Sequence, residues 1–534
     1  MSKFNLFLKL NFSLVFAISI AFRLVNLDHI PGINGDEAWY GVQMFELNSG
    51  SAFSWRTPTG NVLNPFFSGL IFILHLFSSP SFWILRLPAA ISGILTIILT
   101  YYLISKVLGK KIAILATILV ASLPINIAYS RYGWDQSQGG LASIIAIYFS
   151  LQRNWIGLVS AVIAAFIVHP TNILLLPFIG ISAITPSMVD YWQVWKTKRQ
   201  FLKSKFKILL FIAIAILSIL LATVIIIPKL QTILGVILFK RLLNFQNWCF
   251  FFLGYGRLLS GITIYRYICG IESGFTVLLH DVIFWCLFLL VLCLGIRQLF
   301  REKKWNILGL VVGLFLTLIG FYLIAGFRAI MPSRERYATC LIIPSILVIV
   351  ILINSISKTP RKRLIAMSVT VAISWLLLWS FQSNYFDTIK RTGGLSEQTF
   401  RTASVEPKQQ ALAKILQDAK GAEKITIFAE DWWLYWPIQY LSIPDKRIKM
   451  YDFKGQPNPS KTLYAAMAQG AYAVGFSEGP VDKAVNQLFP KNLVEQWAIE
   501  DYSGRSLLNV WHRKVPSNAT TKLDRSGQWK KLRN

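Results

Sequence analysis

The sequence predicts a polytopic α-helical membrane protein with about eleven transmembrane helices and a small C-terminal α/β domain. The chain of 534 residues is 54% hydrophobic and only 15% charged. Its apolar residues fall into blocks long enough to cross a hydrocarbon core, which takes about 20 residues as a helix. From about Asn384 the composition becomes mixed polar and charged. We therefore expect a membrane domain (1–383), an extracytoplasmic α/β domain (384–521) and a basic, disordered tail (522–534).

The apolar blocks can be assigned as spans by length and oriented by loop charge. Residues 8–27 are too long for the apolar region of a cleavable signal peptide, and no small-residue cleavage site follows them. Later blocks alternate so that most clusters of Lys and Arg fall in cytoplasmic loops, as the positive-inside rule requires. The predicted spans are 8–27, 89–104, 112–127, 139–151, 156–168, 171–184, 206–227, 275–296, 307–325, 337–357 and 364–381. This order places the α/β domain outside a cell membrane, either a plasma or an inner membrane.

One weaker apolar run, residues 65–77, has two interpretations. If this run were a span, Lys106, Lys110 and Lys111 would lie outside the membrane, which the charge rule disfavours. We therefore interpret it as a juxtamembrane helix on the outer surface. It then belongs to an outer loop that covers residues 28–85.

Charge and cysteine content exclude two classes of site. The net charge of +29 could suggest nucleic-acid binding. However, most basic residues lie in short loops between apolar blocks, where membrane orientation explains them, so no nucleic-acid partner is expected. The five cysteines lie in or near apolar segments without metal-ligand spacing, which predicts neither a disulfide framework nor a zinc site. They are Cys249, Cys269, Cys286, Cys293 and Cys340.

Two predicted outer segments, 228–274 and 326–336, carry basic residues against the charge rule. These residues are Lys229, Lys240, Arg241, Arg257, Arg266, Arg328, Arg334 and Arg336. They could anchor the chain to lipid headgroups, and longer loops are less constrained by charge. Alternatively, they could hold an anionic phosphate substrate, because the planar guanidinium fork suits phosphate oxygens.

The C-terminal region alternates between predicted helices and strands. Residues 425–429 and 471–476 are typical of buried strands, and helices are expected at 409–419, 460–470 and 481–489. This alternation is typical of an α/β domain. An aromatic run at 432–436 favours packing or membrane-interface contact over sugar stacking.

An acidic pair, Asp36-Glu37, follows the first predicted span within a few residues. Flanking aromatic residues suit a membrane–water boundary, where negative charge is unusual. The simpler alternative is a solvated turn after Pro31-Gly32. The surrounding motifs decide between these interpretations.

Several short motifs, taken in their order along residues 1–381, resemble those of one family of membrane glycosyltransferases. They are Asp36-Glu37, Asn64-Pro65-Phe66-Phe67, Arg86-Leu87-Pro88, the Ser130–Asp135 loop, His169-Pro170-Thr171, and Arg336-Tyr337 with Pro344. The family is the dolichyl-phosphate-mannose–protein mannosyltransferases and aminoarabinose (ArnT-like) transferases, of the family 39 type, which have the GT-C fold. Many members carry Lys-Pro-Pro where this chain has Leu63-Asn64-Pro65, so a lysine expected at the donor phosphate is missing.

The resemblance and the chemistry together predict a glycosyltransferase on the outer face. Nucleotide sugars are absent there, so the donor is expected to be a sugar on a polyprenyl phosphate, and the acceptor a lipid, glycan or protein. Asp36 is the expected general base, with Glu37 beside it. Arg334 and Arg336 are expected to stabilise the departing lipid phosphate, with Arg131 as a further phosphate contact.

Three other residues have open roles at this stage. Asp135 could position the acceptor, orient Arg131, join Asp36 around a divalent metal, or simply form a turn. His169 is more typical of a capping or packing residue than of a catalytic one. Tyr337 is expected at the membrane interface, where it would help to fix the depth of the lipid phosphate, and either an acceptor-binding or a structural role is open to it. No cofactor other than such a metal ion is predicted.

Two rival function classes remain. A transporter or flippase of a lipid-linked anion would explain the basic outer face and the many spans. However, the charges lie at span ends rather than near the bilayer midplane, and no internal repeat is evident. A non-catalytic scaffold whose outer domain recruits partners is the third interpretation.

Overall fold

The computed structural model describes residues 2–51, 53–197, 240–271, 275–395 and 406–513, and two short strands at 521–523 and 529–531. The predicted span at 206–227 lies outside the described residues. The first 395 residues are mostly helical, and a five-stranded sheet follows. The predicted class, a helical membrane protein with a small C-terminal α/β domain, is confirmed at this level.

Most helices of the membrane domain follow the predicted apolar blocks. The helices are α1 (Ser2–Leu24), α2 (Gly35–Asn48), α3 (Pro65–His75), α4 (Phe82–Val107), α5 (Lys110–Ser122), α6 (Pro124–Tyr129), α7 (Gly139–Gln152), α8 (Trp155–Val168), α9 (Leu176–Thr197), α10 (Phe245–Ser260), α11 (Phe275–Arg301), α12 (Trp305–Ala325), α13 (Ile342–Ile356) and α14 (Pro360–Phe381). Of these, α2 and α10 were not predicted. Short helical turns join them at Asp135–Gln138, Pro170–Leu175, Ile262–Ile264, Tyr265–Cys269, Phe327–Ile330, Glu335–Leu341, Gln382–Asp387 and Thr388–Thr392. Within the described ranges, five helical segments are long and apolar enough to cross a membrane, so the predicted number of about eleven spans is not established.

Proline explains two differences from the predicted boundaries. The predicted span 112–127 is divided into α5 and α6, because Pro124 lacks the backbone N–H that would continue α5. Helix α4 begins at Phe82 rather than at Ala89, and Pro88 lies inside it. A proline near the start of a helix therefore does not mark where the helix begins as reliably as the sequence analysis assumed.

Helix α10 lies in a segment for which the sequence analysis predicted an outer loop and no helix. Its inner face, with Phe251, Tyr255 and Leu258, is fully buried. The Tyr255 hydroxyl donates to Ser345 Oγ of α13 at 2.6 Å. The helix escaped detection because polar residues and glycines interrupt its apolar run.

The α/β domain contains a mixed sheet with helices on both faces. Its elements are α15 (Pro407–Asp418), β1 (Ile425–Ala429), α16 (Trp432–Ser442), β2 (Ile448–Asp452), α17 (Pro459–Ala468), β3 (Tyr472–Phe476), α18 (Pro480–Leu488), a 3₁₀ turn (Lys491–Leu493), β4 (Val494–Glu500) and β5 (Ser506–Arg513). The strand order is β2-β1-β3-β5-β4, with β2, β1 and β3 parallel. Strands β5 and β4 are antiparallel additions.

The sequence identified β1 and β3 but missed β2, β4 and β5. Strand β3 is buried along its whole length, which makes it a continuous apolar run. Strands β2 and β4 are buried at only some positions and carry polar residues between them. A separate pair of short antiparallel strands, β6 (Thr521–Leu523) and β7 (Trp529–Lys531), lies in the segment predicted to be a disordered tail.

Helix α16 of the α/β domain packs directly on the membrane domain. The hydroxyl of Tyr440 donates to the Ser81 carbonyl at 3.0 Å and accepts the Ser81 N–H at 3.0 Å. It also lies 3.1 Å from His75 Nε2, at the end of α3. A Cβ on Gly41 would lie 2.5 Å from the Tyr440 ring, so this glycine permits the close approach of α2 and α16.

The N-terminus of α2 is fixed by a capping box. Asn34 Oδ1 accepts the backbone N–H groups of Asp36 and Glu37 at 2.9 and 3.1 Å. The Glu37 carboxylate accepts the Asn34 backbone N–H at 3.0 Å in return. These reciprocal bonds satisfy donors that a helix start otherwise leaves unpaired.

Glu37 also anchors α2 to two other parts of the membrane domain, at Arg86 and Gly133. Its carboxylate accepts two bonds from the Arg86 guanidinium of α4, at 3.0 and 2.6 Å, and the Gly133 backbone N–H at 3.0 Å. Arg86 donates further to the Leu27 carbonyl at 2.7 Å. Both charged side chains are fully buried. The carboxylate of Glu37 is therefore saturated with structural partners.

We predict that Glu37→Gln destabilises the protein strongly. The variant would leave the Arg86 cation buried without its counter-ion, a change that typically costs about 3–5 kcal/mol. The readout is thermal unfolding of the detergent-purified protein. Asp36→Asn is the matched control, because both partners of the Asp36–Arg336 pair are partly exposed and the amide oxygen can still accept a hydrogen bond, so the loss should be smaller. Equal unfolding temperatures for the two variants would contradict the anchoring role.

Candidate active site

Asp36 and Glu37 are neighbours in sequence but occupy different environments. The Asp36 side chain, in the first turn of α2, is 29% exposed, whereas that of Glu37 is 0% exposed. The helix N-terminus carries a partial positive charge that favours a carboxylate at this position. Only Asp36 is accessible to a bound ligand. The prediction that Glu37 takes part in catalysis does not fit its burial and its saturated carboxylate.

Arg336 lies beside Asp36, although 300 positions separate them in sequence. Its Nη1 donates to Asp36 Oδ2 at 3.0 Å. The guanidinium lies 4.7 Å from the centre of the Trp134 ring and 5.2 Å from that of Tyr337. Trp134 in turn donates from Nε1 to Asn34, the cap of α2, at 3.1 Å. The α2 cap thus supports the aromatic side chain on which Arg336 rests.

The α/β domain contributes Trp432 to the same site. The indole Nε1 donates to Asp36 Oδ1 at 3.0 Å. The two oxygens of Asp36 are therefore held by different domains, one by Arg336 and one by Trp432. Sequence reasoning noted the aromatic run that contains Trp432 but assigned no role to this residue, because nothing local indicates which indole faces α2.

Asp135 and Tyr40 form a second, more buried pair near Asp36. The Tyr40 hydroxyl, one helical turn after Asp36, donates to the Asp135 carboxylate, which also accepts the Gln136 N–H at 2.9 Å. Burial raises the pKa of Asp135 to about 7, and the Asp36 charge adds to this, while Tyr40, Gln136 and Arg336 oppose it. Burial and the Asp135 charge raise the pKa of Tyr40 well above its usual range. Sequence analysis did not identify Tyr40.

His169 and Tyr337 line the same region. Their ring centroids are 5.6 Å apart. His169 Nδ1 lies 2.7 Å from Thr171 Oγ1, and it caps the turn Pro170–Leu175 by accepting the Thr171 N–H. Burial, followed by the nearby Arg336 charge, lowers the pKa of His169 to about 4. The imidazole is therefore neutral at physiological pH.

The two other predicted phosphate-binding arginines differ in placement. Arg131 is fully buried and donates to the backbone carbonyls of Phe22, Asn26 and Ile30 at 2.6, 3.1 and 2.8 Å. The prediction of a phosphate contact for Arg131 does not fit this placement, because its guanidinium binds backbone carbonyls at the end of α1 and in the segment that follows it. Arg334 is exposed two positions before Arg336 and makes no side-chain hydrogen bond within the described ranges.

Two of the other outer basic residues have structural partners. Arg241 donates to the carbonyls of Leu323 and Ile324 at the end of α12, at 2.7 and 2.6 Å. Arg257 pairs with Asp281 through three N–H···O contacts of 2.6 to 3.2 Å. These pairings give two of the basic residues in the predicted outer segments a structural role that requires no ligand. Lys229 lies outside the described residues.

A shared metal site at Asp36 and Asp135 receives no support from the side chains around them. In the part of the chain that the structure describes, no group of three or more His, Cys, Asp or Glu side chains could hold a metal ion. Asp36 is instead paired with a cation, Arg336.

Comparisons with known proteins identify the fold. No protein-family model matches the sequence, and no curated protein matches it. The crystal structure of ArnT from Cupriavidus metallidurans bound to undecaprenyl phosphate is similar, with a TM-score of 0.51 and 13% sequence identity over 93% of this chain and 97% of that one. The Archaeoglobus fulgidus oligosaccharyltransferase crystallised with Zn and sulfate gives a TM-score of 0.45 and 14% identity over 95% of this chain and 74% of that one. The chain therefore shares the fold of ArnT, and the resemblance predicted from its motifs is confirmed at the level of fold.

Proposed function

We propose that the protein is a glycosyltransferase that moves a sugar from a polyprenyl-phosphate donor to an acceptor hydroxyl on a lipid, glycan or protein. The observation that carries this proposal is the partly exposed Asp36 carboxylate, held 3.0 Å from the Arg336 guanidinium. Transfer from a sugar phosphate uses a general base for the acceptor and a cation for the leaving phosphate, and this pair can supply both. The shared fold with ArnT, whose crystal structure holds undecaprenyl phosphate, supports this class of donor.

The reaction takes place on the outer face of a cell membrane in this proposal. Loop charge orients the chain with the acidic loop and the α/β domain outside the cytoplasm. Nucleotide sugars are absent there, so a lipid carrier must present the sugar at the membrane surface. The same orientation makes the enzyme a multi-pass protein of the plasma or inner membrane.

Asp36 acts as the general base. As the acceptor oxygen attacks the anomeric carbon, its proton passes to a free lone pair of the Asp36 carboxylate. The bond between the anomeric carbon and the phosphate oxygen breaks, and the lipid phosphate leaves with the bonding electrons. General-base assistance of this kind contributes roughly 10²–10⁴-fold to the rate.

Arg336 stabilises the negative charge that develops on the leaving phosphate. Of its five N–H groups, one on Nη1 contacts Asp36 and one on Nη2 contacts the Tyr337 hydroxyl, so each of these two nitrogens keeps a second N–H. Donors therefore remain for phosphate oxygens. Arg334, exposed nearby, supplies a second positive charge. Glu37 and Arg131 contribute by fixing the helices that carry the site.

Asp135 tunes the charge of the site in this proposal. It is neutral below pH of about 7, because burial raises its pKa to that value. A neutral Asp135 avoids repulsion with the donor phosphate near Arg336. His169 and Tyr337 form the neutral, aromatic side of the acceptor region.

We predict that Asp36→Asn lowers transfer by roughly 10²-fold or more while the protein still folds, because the amide cannot accept the acceptor proton. The assay follows release of polyprenyl phosphate from a panel of lipid-linked hexoses and pentoses, including mannose and aminoarabinose. Glu46→Gln is the matched control on α2 and should retain the wild-type rate. A near-normal rate in Asp36→Asn would refute the assignment. Movement of the intact donor across vesicles, without release of polyprenyl phosphate, would favour the transporter alternative.

A second prediction concerns Arg336. Arg336→Ala should lower transfer about 10²-fold, the loss typical of removing one transition-state donor. Arg336→Lys should keep part of the activity, because an ammonium preserves the charge but not the planar fork. Arg266→Ala, which removes another exposed outer arginine, is the control. If these arginines only anchor the chain to lipid headgroups, all three variants should show the same small change in the transfer rate. Turnover of a nucleotide sugar in the absence of a lipid carrier would exclude the proposed donor.

The third prediction is a pH dependence of donor binding. The pKa of Asp135 is raised to about 7, so this group gains a negative charge as the pH rises through that value. The KM for the lipid donor should therefore increase above this pH in the wild type and increase less in Asp135→Asn. Tyr40→Phe should move the transition to higher pH, because the Tyr40 hydroxyl stabilises the ionised form. Loss of all transfer in Asp135→Asn, with activity retained in Asp36→Asn, would identify Asp135 as the base instead.

A further inference from the structure

We infer that Trp432 of the α/β domain positions the Asp36 carboxylate for proton transfer, so that the membrane domain is a complete enzyme only when the α/β domain is docked. This inference rests on the proposed role of Asp36 as general base. It assigns to the α/β domain a direct contribution to the reaction, through a positioning residue.

The contact between the two domains fixes the orientation of the carboxylate. Trp432 Nε1 donates to Asp36 Oδ1 at 3.0 Å, and Arg336 Nη1 donates to Oδ2 at 3.0 Å. A carboxylate held at one oxygen can rotate about its side-chain bonds, whereas one held at both cannot. An ionised carboxylate offers about four acceptor positions, so two remain for an acceptor hydroxyl. The 29% exposure of the Asp36 side chain leaves room for that approach.

Gly35 allows Trp432 to pack closely against the start of α2. A Cβ on Gly35 would lie 2.5 Å from Trp432 Cδ1 and 2.5 Å from the Trp432 carbonyl oxygen. Because one of these atoms is backbone, α16 as a whole would have to move to accept any larger residue. Glycine at this position is therefore required by the approach of the indole to Asp36.

Helix α16 holds Trp432 rigidly. At its start, Asp431 Oδ1 accepts the Trp433 N–H at 3.0 Å, and Asp431 Oδ2 pairs with Lys454 at 2.8 Å. Near its end, Tyr440 is bonded to the backbone of Ser81 in the membrane domain. The indole is thus anchored within its own domain and against the neighbouring one. Positioning of this kind is effective only when the donor is itself immobile.

An indole N–H is suited to this position. It is a donor only, so it cannot compete with Asp36 for the acceptor proton. It is also neutral, so it orients the carboxylate without adding a second full positive charge to that of Arg336. A lysine or arginine in its place would pair with Asp36 and weaken it as a base.

Trp432→Phe tests the inference, because it preserves an aromatic ring beside Gly35 and removes only the N–H donor. Hydrogen bonds to charged groups are strong enough that kcat should fall about tenfold. The KM for a polyprenyl-phosphate sugar should be unchanged, because Arg336 and not Trp432 contacts the phosphate. Trp436→Phe is the matched control: it lies one turn along α16 with its ring centroid 5.3 Å from that of Trp432, and its indole has no hydrogen bond in the described residues. It should show wild-type kcat and KM.

The comparison of four proteins separates this inference from the proposed function. An inactive wild type with every lipid-linked sugar in the panel would overturn the proposed function itself. The inference alone would be overturned if the wild type is active, Asp36→Asn is inactive, and Trp432→Phe has the same kinetics as Trp436→Phe. A raised KM with an unchanged kcat in Trp432→Phe would also overturn it. If Trp432→Phe fails to fold, Gly35→Ala tests the docking part of the inference, since it moves α16, and the indole with it, away from Asp36 without removing the side chain. A lower kcat at constant KM then supports the inference, and a wild-type kcat overturns it.

Discussion

The buried ion pair between Glu37 and Arg86 is the interaction on which the arrangement of the site depends. It joins α2 to α4, and the same two side chains bind the backbone at Leu27 and Gly133. Two charges removed from water are stable only when their hydrogen-bonding capacity is met, and here the carboxylate has four donors. The start of α2 is therefore fixed from several directions, which fixes the direction of the neighbouring Asp36.

Burial separates residues of the same type into those with structural partners and those that are accessible to a ligand. Glu37 and Asp36 differ by one position on a helix, so the first is fully buried and the second is partly exposed. The arginines divide in the same way. Arg86 and Arg131 are buried with backbone and carboxylate partners, whereas Arg336 is partly exposed and retains unused donors. Exposed groups with spare bonding capacity can take part in chemistry, and saturated ones can only support it.

The α/β domain contacts the same helix that the ion pair of Glu37 and Arg86 fixes. Its helix α16 contacts α2 at Gly41 through Tyr440 and at Gly35 through Trp432. Both positions are glycines, because a side chain on either would separate the helices. The two domains therefore meet along the same helix that carries the proposed base. This geometry links docking of the α/β domain to the state of the site.

The sequence by itself determined the class of the protein, the positions of most apolar helices and two of the sheet strands. These features are local: apolar length, proline and glycine positions and charge balance act within a few residues or turns. Only the tertiary structure decided that Asp36 rather than Glu37 is accessible, that Arg336 rather than Arg131 is its neighbour, and that Trp432 donates to the same carboxylate. Those outcomes depend on contacts between residues separated by 300 and 396 positions. Residue type and spacing cannot specify which of several arginines or tryptophans reaches a given carboxylate. Packing of the whole chain decides which of these side chains stays accessible and which lies within hydrogen-bond distance of that carboxylate.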